Sequence, residues 1–107
     1  MKKNIFKLSK PFTFEGENYT ELNMAAFQDI TGQQISDVER TFKNQYSLTT
    51  ADYDALEFNL NYIFLLCSFV LNKPVEFFQA LPAVDAVKLK YKVVRFLAGL
   101  ESVESED

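Results

Sequence analysis

Ten consecutive residues, Tyr62 to Leu71, read YIFLLCSFVL and are apolar except for Ser68. As a helix they cover about 15 Å, half of the roughly 30 Å needed to cross a hydrocarbon core. Asn59 and Asn61 stand before them and Asn72-Lys73-Pro74 after them, so the run has no apolar residues to extend it. A stretch this apolar and this short is expected to form a buried or interface helix of a soluble protein, not a membrane span. With 107 residues there is chain for one such domain. We expect that domain to span residues 1–100.

The segments around this run divide into two kinds. Residues 5–22 carry the pattern of a β-hairpin. Phe12 and Phe14 alternate with Thr13, and Glu15-Gly16-Glu17-Asn18 supplies a turn. A Gly16-Glu17 turn would set Tyr19 opposite Phe14. Pro11 lacks an N–H for the ladder and marks an edge or a bulge. Such a hairpin is marginal alone and must lie on helices or on another subunit. Residues 23–30 fit either a short helical turn or a connector.

Beyond residue 30 the period changes to that of helices. Thr31-Gly32-Gln33-Gln34 fits a capping box, with Ile30 and Ile35 at the two staple positions. The stripe Ile35, Val38 and Phe42 extends towards Tyr46. A second helix is expected from Thr49 or Thr50 to about Leu71, with Asp52 and Asp54 in its first turn. Its stripe is Tyr53, Leu56, Leu60, Phe64, Cys67 and Leu71, and Phe58, Tyr62, Leu65 and Phe69 fall off that stripe. Pro74 opens a short helix, Val75 to Leu81, and Pro82 a last one ending at Gly99. The apolar positions of the last helix include Val84, Val87, Tyr91, Val94 and Leu97. Residues 101–107 hold four acids and are expected to form a disordered tail. The fold class is therefore mostly α with an N-terminal β-hairpin (α+β), the hairpin followed by a small bundle of about four helices.

Composition argues against catalysis. There is no histidine, hence no imidazole base or ligand. Cys67 is the only cysteine, so the chain holds no intrachain disulfide and no multi-thiolate zinc site. The three glycines stand apart at 16, 32 and 99 and build no phosphate-binding loop. Asp52, Asp54 and Glu57 could attract a hard cation, but carboxylates at a helix start are explained by the helix dipole. No cofactor or metal is called for, and the chain reads as a non-enzyme.

The features left over are aromatic and basic. Eleven Phe and five Tyr exceed what one buried stripe per helix requires. Phe58, Tyr62, Phe69, Phe77 and Phe78 have two competing destinations: a core shared among helices and hairpin, or an exposed partner-binding groove. Lys88, Lys92 and Arg95 share a helix face in a chain of net charge −4. That face is either simply solvated or an electrostatic docking surface for an acidic partner. The net charge disfavours nucleic acid.

The order of motifs resembles the tail assembly chaperones of long-tailed bacteriophages and prophages. The matching residues are Leu8-Ser9-Lys10-Pro11-Phe12-Thr13-Phe14-Glu15-Gly16, Tyr19-Thr20-Glu21-Leu22 and the helix opened by Thr31-Gly32 through Val38-Glu39. They continue with Leu71-Asn72-Lys73-Pro74-Val75-Glu76, Leu81-Pro82-Ala83-Val84-Asp85 and Val94-Arg95-Phe96-Leu97. Asn23-Met24-Ala25-Ala26 departs from the Arg or Pro that family members often carry in the connector. The resemblance implies a protein that coats the tape-measure protein in the bacterial cytoplasm and keeps it soluble. The tail tube protein then displaces it, and it is absent from the mature virion. It also implies homo-oligomers, and a longer frameshifted form that recruits the major tail tube protein. Two alternatives remain at this level: a permanent tail or connector component, and a small nucleic-acid-binding regulator.

Overall fold

A computed structural model describes residues 4–46 and 59–99. The expected helix start at Thr49, the carboxylates Asp52, Asp54 and Glu57, the aromatic Phe58 and the tail 101–107 lie outside the described residues. Within them the order is β1 (Ile5–Phe14), β2 (Glu17–Asn23), a 3-10 helix (Ala25–Asp29), α1 (Gly32–Gln45), α2 (Leu60–Leu71), α3 (Val75–Gln79) and α4 (Ala83–Leu97). Among the described residues the architecture is the expected one: an antiparallel hairpin followed by four α-helices, with the 3-10 helix between hairpin and α1.

The hairpin turns one residue earlier than the pattern suggested. Glu15 and Gly16 both adopt positive φ, 50° and 84°. That pair of conformations makes a two-residue turn whose twist matches the flanking strands. Phe14 therefore pairs with Glu17, Thr13 with Asn18, and Tyr19 faces Phe12 rather than Phe14. The Thr13 hydroxyl donates to the side-chain oxygen of Asn18 across the ladder.

The pairing is broken between Lys7↔Glu21 and Phe12↔Tyr19, where residues 8–11 of β1 stand across from Thr20 alone. Pro11 lies in this bulge, as its missing donor requires. The irregularity has a packing consequence. Tyr19 and Leu22, three residues apart, both pack on the core, which a strand of strict period two cannot achieve.

The helix ends follow local chemistry. Thr31 and Gln34 form the complete capping box: the Thr31 hydroxyl accepts from the Gln34 N–H, and the Gln34 side chain accepts from the Thr31 N–H. Val38 and Phe42 are buried below it. At α2 the expectation of one helix running from Thr49 is corrected. Asn59 is extended (φ −85°, ψ 119°), and its side-chain oxygen accepts from the N–H groups of Asn61 and Tyr62. That cap makes Asn59 a helix start, not a mid-helix residue. Asn72, left-handed at φ 58°, ends α2. Pro74 and Pro82 each sit one position before their helix, and their carbonyls accept from Phe77 and Ala86.

The apolar run 62–71 lies in the helix that packs against most of the other described helices. α2 touches α1, α3, α4 and the 3-10 helix. Tyr62, Ile63, Phe64, Leu66 and Cys67 are buried on it. Each such large side chain contributes about 1.5–3 kcal/mol when withdrawn from water. No helix among the described residues is long and apolar enough to cross a membrane.

Candidate partner-binding surface

The aromatic residues sort into core and surface. Phe77 of α3 sits edge-on to Phe12 and Phe14, ring centroids 5.3 Å away in each case, to Tyr19 at 4.9 Å and to Phe78 at 5.0 Å. This edge-to-face cluster fastens the hairpin to the helices. Lys73 closes it from outside, its Nζ lying 4.7 Å from the Tyr19 ring centre and 5.2 Å from that of Phe77. Tyr62 packs against Phe42 at 5.7 Å and so joins α2 to α1. Tyr62, Phe77 and Phe78 are thus core residues, almost wholly withdrawn from solvent. The partner-groove destination is corrected for these three, because a hairpin with only one apolar face takes its anchor from the nearest helix. Phe69 is different: 51% exposed, it stands at a shallow groove between α1 and α2 that Asp37, Val38, Thr41, Leu65 and Ser68 also line.

The last helix divides its apolar residues between two faces. Val84, Val87 and Tyr91, three of the apolar positions expected on it, are 55%, 43% and 57% exposed. The face that packs inward is Asp85, Ala86, Leu89 and Val93, with Phe96 half-buried and stacked on Phe27 at 5.4 Å. α4 therefore carries two apolar faces and buries one.

Lys88 and Arg95 are exposed beside the outward stripe. Lys92 is half-buried on the same side, its Nζ 5.7 Å from the Phe96 ring centre. The three cations expected to share a face do so. Lys90 leans over Tyr91, 5.2 Å from its ring centre.

Asp85 is a functional-looking residue that sequence reading did not single out. It is buried in the first turn of α4. Its Oδ1 accepts from the Ser9 N–H at 3.0 Å and its Oδ2 from the Ser9 hydroxyl at 3.0 Å. Ser9 lies in the β1 bulge, so the carboxylate ties the irregular part of the hairpin to the last helix. The partners are 76 residues apart, and nothing local signals the pair. The outward stripe did have a signal: α4 has more apolar positions than one face can hold.

Cys67 is buried on α2, and burial pushes its thiol far above the ordinary range, so it stays protonated. Among the described residues no group of three or more His, Cys, Asp or Glu side chains is arranged to hold a metal ion. What the described surface offers is recognition chemistry: an apolar helix face edged with cations, and an exposed phenylalanine at a groove. No protein-family model matches the chain, and no curated protein or solved structure is similar to it.

Proposed function

We propose that this protein is a tail assembly chaperone of a phage or prophage, binding the tape-measure protein and keeping it soluble until the tail tube protein displaces it. The reading rests on the order of motifs from residue 5 to about 98 and is supported by their grouping into a hairpin and four helices. The observation that carries it is the outward stripe of α4. Val84, Val87 and Tyr91 are large, apolar and uncovered by any described residue, as a binding protein requires and a self-contained fold does not. A long helical client presents repeated apolar stripes, each a site for one copy of the chaperone. The two-stranded sheet leaves open edges through which copies can pair, and weak single contacts then add up along the client while each copy stays displaceable.

Co-expression tests the reading. With this chain present, a tape-measure protein from the same gene cluster should move from the pellet to the soluble fraction and co-purify. A client that precipitates equally with and without it rejects the proposal. Mass spectrometry of finished particles should find the chain absent; a stoichiometric presence would make it a structural component.

A further inference from the structure

We draw no further inference here: the strongest candidate, the exposed apolar stripe of Val84, Val87 and Tyr91 on the outer face of α4, already carries the function proposed above, and with Lys92 and Arg95 beside it engaged within the molecule nothing in the structure shows what covers it.

Discussion

α2 and α4 are both rich in apolar residues, and they use them differently. α2 lies among α1, α3, α4 and the 3-10 helix, so almost every direction around it is occupied. Tyr62, Ile63, Phe64, Leu66 and Cys67 project to several sides of it and all are buried. Among the described residues α4 packs on β1 and α2, and through Phe96 on the 3-10 helix. Leu89 and Val93 are consumed by that packing, while Val87 and Tyr91 remain outside. The lesson is that apolar content marks a helix as important to association of some kind. Only the number of neighbouring elements decides whether that association is internal.

The strongest way to break the comparison is to remove an aromatic that its sequence context left free to lie at a surface. Phe78→Ala should cost about 3–5 kcal/mol of stability, read from urea denaturation. That is a large part of the 5–15 kcal/mol typical of a whole domain. A loss of a few tenths of a kcal/mol would return Phe78 to the surface and undo the assignment of the α3 aromatics to the core.

The hairpin, the Thr31 box, the stop at Asn72-Lys73-Pro74 and a buried or interface helix over residues 62–71 were all legible in the sequence. Each depends on a short-range rule acting within a few residues. The features that escaped depend on distant partners or on choices that short-range rules leave open. Glu15 is an uncommon residue for positive φ, so Gly16 alone could not reveal which pair made the turn. Asp85 is a charged side chain that burial would ordinarily exclude, and Ser9, which satisfies it, is far away in sequence. On α4 two stripes share the helical period, Val84–Val87–Tyr91–Val94 and Ala86–Leu89–Val93. Periodicity gives the angle between faces, not which one a neighbour covers. The cation row was legible because three charges on one helix face need only helical geometry.

The inward side of α4 can be tested through its polar clamp. Asp85→Ala should cost about 2–3 kcal/mol, because the Ser9 N–H and hydroxyl lose a charged acceptor. Asp85→Asn keeps one acceptor oxygen and should cost less. Hydrogen exchange at the Ser9 amide should accelerate in the Ala variant. An unchanged rate would show that the bulge holds its place without the carboxylate, and that packing alone orients α4.

Cys67 tests whether α2 is enclosed. Burial raises its folded-state pKa above the unfolded value. A raised pKa means that the unfolded chain gives up the proton first, so the stability associated with the neutral thiol is intact at neutral pH. It declines as pH rises past the ordinary thiol value of about 8.5, by about 1.4 kcal/mol per pH unit. Cys67→Ala should lack this alkaline slope, and the difference between the two stability profiles isolates it. A native thiol that reacts with a disulfide reagent as fast as free cysteine would place that side of α2 in solvent.

The smallest expected effect is the most discriminating for α4. Val87→Ser should change stability by no more than about 0.5 kcal/mol, as exposed substitutions do. Valine and serine have similar helix propensity, so the backbone adds little of its own. Leu89→Ala, two positions along the same helix, should cost about 2–5 kcal/mol because its side chain is fully buried. The two variants share an element, its caps and its neighbours, and differ in the face they modify. Thermal melts of both therefore compare the faces directly. Losses of similar size would mean that the outward stripe is already covered in the free protein and is not a docking surface. A stable Val87→Ser protein that no longer holds its partner would separate binding from folding within a single helix.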